Sequence, residues 1–435
     1  MLSRHVCGTA IVVAVLIHAA PTLLAQRANG PYAGLLGQTP DAQRAQGLDL
    51  TGTLFGAYDL NTFPGVDTAA TTDPRLKQSG TSEGLTAALD YNRSGDHGRF
   101  TWSGGAVGRN YSTNPGIVSA YSSAATLALI LRPRLVMDAR ASVGYSPFLQ
   151  FSPFSEGAAI GGGNPAPAFD FAALEERNIA ADGAIGISSN FTSRSSFSAG
   201  IDGRKTRLLD LDRNDLSSWA AHAGVRHKLT RRLGVHLEYG QQHVTYGEGG
   251  APLLNSSIDA GLDYSDTLSF SRQSSLTFGT STSAVHYLSE THYRLNGAAR
   301  LSRGFGRSWS AAVGYARDTQ FRIGFRQPLL TDSGDAGLAG QLSLRAKVSA
   351  GVVYTRGAVG FEGSTFSTYS ASSRLDFALR RSLGLYGQYG YYRYTLPPGA
   401  SDIPFLLSLA RQSVSAGLSV WVPIINEGRR SGRPK

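Results

Sequence analysis

The sequence predicts an all-β protein: a single transmembrane, antiparallel, up-and-down β-barrel of about 18 strands, with 16 as the alternative. Three observations point there. Apolar and polar residues alternate at period two along segments of roughly 11–14 residues, longer than ordinary globular strands and long enough to cross a bilayer at a tilt. Tight basic turns separate pairs of such segments, while Gly-, Pro-, Asn- and Asp-rich connections occupy their other ends, the asymmetry of outer-membrane barrels. Beyond the N-terminus no stretch reaches the ~18 consecutive apolar residues that a membrane helix requires.

Composition agrees. Of 435 residues, 17% are charged and 10% aromatic, whereas an ordinary soluble domain carries about 25% charge. Few charges with many aromatics exclude a disordered chain. A net charge of +10 raises the question of an acidic partner, which depends on where the cations lie.

Residues 1–25 have the layout of a secretory signal: Arg4 and His5, an apolar core at Ile11–Ile17, then small residues towards Ala25. The single cysteine, Cys7, precedes that core and leaves with it, so the mature chain is expected to hold neither disulfides nor thiolate chemistry. Residues 26–46 read as a short periplasmic lead-in, too small for a plug domain. The barrel is expected over 47–422, followed by a basic tail over 423–435. Propeller blades use shorter strands, and β-helix repeats are shorter and more uniform.

Within the barrel, Leu48, Leu50, Leu54 and Tyr58 share one strand face, opposite Asp49, Thr51 and Asp59. Leu233, Val235, Leu237 and Tyr239 lie opposite His236 and Glu238, and Leu375, Phe377 and Leu379 opposite Arg374, Asp376 and Arg380. The basic turns are LRPRL (131–135), TSRSS (192–196), LTRRL (229–233), FSRQS (270–274), SRGFGR (302–307) and LRRSL (379–383), with SGDHGR (94–99) and LRAKV (344–348) in equivalent places. The longer connections are expected at 60–80, 147–176, 247–254, 319–335 and 397–404.

The hairpins LRRSLGLYGQYGYYRY (379–394) and LTRRLGVHLEYG (229–240) resemble those of bacterial outer-membrane β-barrel proteins, in particular the porin-like barrels of exopolysaccharide-synthesis gene clusters. The resemblance implies residence in the cell outer membrane, with its lipids and the barrel-assembly machinery as partners, and passage of polysaccharide or small polar solutes. One departure is plain: the last alternating strand, SVSAGLSVWV (413–422), is followed by PIINEGRRSGRPK instead of ending on an aromatic residue.

In such a barrel the apolar register faces lipid and the other faces the lumen. That rule assigns to the lumen the acids Asp49, Asp59, Asp90, Asp138, Asp182, Asp202, Glu238, Asp259, Asp263, Asp318 and Asp376. The bases are Arg99, Arg109, Arg140, Arg204, Arg226, Lys228, Arg294, Arg300, Arg345, Lys347, Arg374 and Arg380. The expected lumen is therefore mixed in sign and nearly neutral, while Arg132, Arg134, Arg194, Arg231, Arg232, Arg272, Arg303, Arg307, Arg381 and the tail place the basic excess at one rim. Such a rim sits near phospholipid head groups and argues little for an anionic cargo.

No catalytic, cofactor or metal site is expected. Asp210, Asp212, Asn214 and Asp215 imitate the start of an EF-hand loop, but the sixth position is Asp215 where Gly is needed and the twelfth is Ala221 where Glu is needed. No HExxH, zinc spacing or Walker sequence occurs, and GGGN (161–164) opens no helix. No His-x-Ser pair follows the signal, so a hydrolase would need a Ser–His pair across strands. The Tyr391–Tyr394 aromatic–basic run reads as an interfacial girdle, not as a nucleic-acid surface. Four functions remain: a pore for polar solutes, an export barrel, a structural or surface-binding barrel with a closed lumen, and a hydrolase.

Overall fold

A computed structural model describes Leu35 and residues 44–62, 79–112, 116–150, 172–174, 176–210, 215–230, 233–247, 252–268, 271–287, 290–306, 308–325, 327–361, 364–398 and 408–428. The expected signal, most of the lead-in, residues 151–171 and the tail beyond Gly428 lie outside them. The chain forms β1 (Arg44–Thr62), β2 (Gly80–Ser94), β3 (Gly98–Tyr111), β4 (Ile117–Arg132) and β5 (Leu135–Ser146). A two-stranded ribbon, β6 (Leu149–Gln150) with β7 (Ala172–Leu174), interrupts the series. Then come β8 (Asn178–Asn190), β9 (Ser195–Leu208), β10 (Leu216–Lys228), β11 (Leu233–Tyr246), β12 (Leu253–Leu268) and β13 (Ser271–Tyr287). β14 (Glu290–Phe305), β15 (Trp309–Gln320), β16 (Leu329–Gln341), β17 (Ala346–Val359), β18 (Ser364–Arg380), β19 (Leu383–Thr395) and β20 (Ser408–Gly428) complete it.

Leaving out the ribbon, each strand pairs antiparallel with the next, and β20 pairs with β1. The result is a closed 18-stranded up-and-down barrel, the larger of the two strand numbers. Closure removes both sheet edges and satisfies the backbone between strands, as a hydrocarbon environment demands. An 18-strand wall with ~4.8 Å strand spacing and a tilt of roughly 40° is about 35 Å across between backbones.

The strands overrun their expected ends. β1 starts at Arg44 instead of 47, and β20 reaches Gly428 instead of stopping at 422. Proline does not break β20, because the ladder shifts register between Leu48 and Asp49, pairing Leu48 with Ile425 and Asp49 with Pro423. A proline without an N–H is accommodated at such a bulge. Likewise, the expected connection 319–335 shrinks to Phe321–Pro328, since β16 already begins at Leu329.

The two wall faces differ as the alternation requires. On the outside stand Leu54, Leu85, Ile185, Ile201, Leu237, Leu295, Val313 and Val414, each more than half exposed. That apolar, solvent-presenting band makes the molecule an outer-membrane barrel. The opposite register carries most of the buried polar and charged side chains, among them Asp49, Asp59, Asp202, Asp376 and Arg411. The start of β1, the end of β20 and the tight turns lie at one rim, periplasmic in this fold, and the longer connections at the other.

Glycine meets aromatics where the wall closes. Tyr386 of β19 sits opposite Gly417 of β20, which in turn opposes Phe55 of β1 and then Gly84 of β2. A Cβ on Gly417 would lie 2.6 Å from the Tyr386 ring and 2.5 Å from the Leu54 carbonyl oxygen; one on Gly84 would lie 2.5 Å from Phe55. Large rings thus fold over residues without side chains, and the seam packs without a gap.

Candidate functional site: the inner wall and its mouth

The inner register brings titratable groups of neighbouring strands together in three sectors. The first spans β9–β12. Asp202 is 5% exposed and its carboxylate lies 3.5 Å from Nδ1 of His222 on the next strand. Glu238 and Asp259 stand directly opposite each other on β11 and β12, an arrangement that costs energy between like charges. His236 Nε2, 2.7 Å from Asp259, offsets that repulsion with a hydrogen bond. Beside this sector Ser142 donates to Asp182 at 2.5 Å, and Asp182 opposes Arg204.

The second sector lies on β14–β16. Arg300 reaches Asp335 at 3.3 Å, and Arg294 donates to the Thr331 carbonyl at 3.0 Å, each spanning the strand between. The third lies on β18–β3. Arg374 holds Asp376 through Nε at 2.9 and 3.0 Å and Nη2 at 2.6 Å, with its guanidinium 4.4 Å above the Tyr386 ring. Farther up the seam, Arg411 pairs with Asp59 at 3.1 Å, both almost fully buried, and Arg109 lies over Phe55.

The remaining lumen assignments fall as follows. Asp138, Arg140, Arg226 and Lys228 occupy the same register of β5 and β10 as these pairs, and Asp138 is exposed there. Asp49, Asp90, Arg99, Asp318 and Lys347 share the inner register of their strands. The side chain of Asp263 lies outside the description. Arg345 is not in the wall: it sits in the turn between Gln341 and Ala346, and the alternation was carried one residue too far into a tight turn. Arg380 is the exposed last residue of β18, at the periplasmic rim.

Arg411, Asp335 and His222 stand outside the lumen assignment made from the sequence. Arg411 precedes the stretch read as the last strand, and Asp335 falls in the stretch read as a loop. His236 takes the inner place that its strand's alternation gives it, and His222 takes the corresponding place on β10. Their place in the inner register was legible from the alternation of Val225, Leu237 and Tyr239.

At the extracellular mouth, two connections turn inward. Phe321 joins Leu216, Val244, Leu253 and Val285 of the inner wall in one buried cluster, with Tyr246, Ile323 and Phe361 packed on it. Phe361, from the β17–β18 connection, stacks on His292 at 3.8 Å. Gly324 at φ 88° provides the left-handed corner that lets the Phe321–Pro328 connection fold back. Burial of these aromatics narrows the mouth and anchors both connections.

Another corner is tied by charge. Arg177 binds Asp210 through its backbone N–H and guanidinium, and Glu176 accepts from the Asp210 N–H at 2.9 Å. Asp215 accepts from the Leu208 N–H at 3.1 Å. Both described acids of the EF-hand-like run therefore brace the corner; Asp212 and Asn214 lie outside the description. The Arg177 guanidinium holds the Asp210 carboxyl below the usual carboxylate range. A depressed pKa contributes stability above the unfolded value of ~3.9 that is lost as pH falls through the folded one. Amide exchange at Arg177 and Asp210 is therefore expected to speed up at pH 3 relative to pH 6, after correction for intrinsic rates. Asp210→Asn should remove that difference.

Ser195 and His227 form a cross-strand pair, Oγ to Nδ1 at 2.8 Å, exposed at the periplasmic rim. Among the described residues no carboxylate is paired with this imidazole, so the third group that orients a nucleophile's base is not seen. Nor do the described residues hold a group of three metal-ligating side chains.

No protein-family model and no curated protein matches this chain. Among solved structures it is similar to Pseudomonas aeruginosa OccK2 (OpdF), solved with glucuronate: 11% identity, TM-score 0.45, covering 87% of this chain and 98% of that one. It is also similar to Pseudomonas aeruginosa OpdQ, at 11% identity and TM-score 0.44 over 88% of this chain and 100% of that one. A third likeness is to Acinetobacter baumannii OccAB4, at 10% identity and TM-score 0.42 over 88% and 100%.

Proposed function

We propose that the barrel is a water-filled pore for small polar solutes, lined by the three charged sectors of the inner wall and narrowed at the extracellular mouth by the inward connections. The observation that carries this reading is the solvent exposure of inner-register polar side chains midway along the wall, Ser103 on β3 and Ser372 on β18, with Asp138 exposed nearer the periplasmic end of β5. In a lumen filled by packed side chains these would be covered. A circumference of 18 strands leaves room for a channel. Acid and imidazole on β9–β12 with guanidinium groups on β14 and β18 would set a field across the path and orient solutes carrying both charged and hydroxyl groups. Polysaccharide export rests on the family resemblance alone; among the described residues no feature of the wall favours it. The protein needs no cofactor for this role and acts without catalysis.

Purified protein in planar bilayers is expected to give stable single-channel steps. The triple variant Asp202→Asn, Glu238→Gln, Asp259→Asn should shift the reversal potential in a salt gradient towards anion preference. A folded, inserted and electrically silent barrel would favour the closed, structural reading instead.

A further inference from the structure

The outer face of β15–β19 breaks the apolar pattern in an ordered way. Val313, Ala336, Val352, Ala371 and Tyr391 form one outward row, following the register from strand to strand. Two residues nearer the extracellular rim the row reads Tyr315, Gly334, Tyr354, Tyr369, Arg393. Two residues farther on it reads Arg317, Asp332, Arg356, Ser367. Apolar, aromatic and charged levels thus succeed one another towards the rim, as at the boundary between acyl chains and head groups.

The charged level is built, not scattered. Asp332 accepts from the Tyr315 hydroxyl at 2.8 Å and from Arg317 Nε at 2.5 Å and Nη2 at 3.2 Å. That fixes the Arg317 guanidinium on the wall. Arg356 stands directly opposite Asp332 on the other side, exposed, and Arg393 stands opposite Tyr369 one level lower, also exposed. Three guanidinium groups against one carboxylate leave this patch at +2. Cations facing lipid near the bilayer centre would be costly; at the head-group level the cost falls towards zero and an anionic partner reverses its sign. The guanidinium fork suits phosphate, and the tyrosine faces below suit a sugar ring or the first methylenes of an acyl chain.

From this geometry we infer a binding site for the phosphorylated glycolipid of the outer leaflet on the lipid-facing wall of β15–β19. Arg317, Arg356 and Arg393 contact its phosphates, and Tyr354 and Tyr369 pack beneath them. The site lies outside the lumen and is independent of the pore reading.

The test uses the full-length barrel in detergent, purified lipopolysaccharide and the same lipopolysaccharide treated with phosphatase. Binding is followed by native mass spectrometry, and folding is checked by heat-modifiable migration. The wild type should bind the phosphorylated form, and Arg356→Ala with Arg393→Ala should weaken it by roughly thirtyfold. The turn variant Arg345→Ala, at the opposite rim, should bind as the wild type does. Equal affinity for the two lipid forms would overturn the site, as would a folded double variant that binds unchanged. Equal binding of phosphatidylglycerol would overturn the assignment to the glycolipid. Should the double variant fail to fold, the comparison of phosphorylated with dephosphorylated lipid on the wild type still decides.

Discussion

Arg411→Ala is expected to destabilise the folded barrel by about 3–5 kcal/mol, the cost of leaving one member of a buried ion pair uncompensated. Arg411 and Asp59 are both nearly inaccessible, 3.1 Å apart across the β20–β1 ladder. Removing the guanidinium strands a carboxylate among side chains that exclude water. The measurement is the urea midpoint of unfolding in detergent micelles, followed by tyrosine and tryptophan fluorescence and by gel migration. Asp59→Asn combined with Arg411→Met removes both charges and should recover most of the loss, since a buried pair is often no better than apolar residues of similar volume. If Arg411→Ala alone leaves the midpoint unmoved, the seam does not depend on this pair.

Gly417→Leu should be at least as damaging. The new Cβ would press on the Leu54 carbonyl oxygen and the Tyr386 ring at once. Only the ring can move away; the backbone oxygen belongs to the ladder itself. Overpacking of this kind costs about 1–3 kcal/mol where neighbours yield, and more where they cannot. Gly387→Ala, on the outward register of β19 with open space around the new methyl group, should stay within about 0.5 kcal/mol of the wild type. A Gly417→Leu barrel that refolds with the wild-type midpoint would show that the seam opens freely around Tyr386.

The architecture was readable because barrel strands obey one rule for their whole length. Leu50, Leu54 and Tyr58 announce their face without knowledge of any partner, and the period of the basic turns counts the hairpins. What escaped depends on neighbours. Asp335 looks like part of a polar loop until β15 extends its ladder past Asp332. Pro423 looks like a terminator until the opposing strand supplies the bulge. The outward arginines are the sharpest case. Arg317 shares the register of Val313 and Tyr315, so the rule places it in lipid, and only Asp332 on the next strand and the tyrosine level below explain its presence. Arg393 sits in the run first read as an aromatic girdle, which holds for Tyr391 on the same outward face and not for Tyr392 and Tyr394, whose buried rings stand on the inner register.

The ladder between β1 and β20 joins eighteen residue pairs from opposite ends of the chain. Every other neighbouring pair in the barrel is joined by a single connection, the β5–β8 one carrying the ribbon, and can meet while the rest of the chain is still absent. This one cannot form until the last residues arrive, and its closure entropy is the largest in the molecule. Until then the nascent sheet has two open edges of β-rich, weakly charged sequence, a template for pairing with other copies. The interval between export and closure is thus the chain's most aggregation-prone stage, and a C-terminal truncation before Ser408 would prolong it indefinitely.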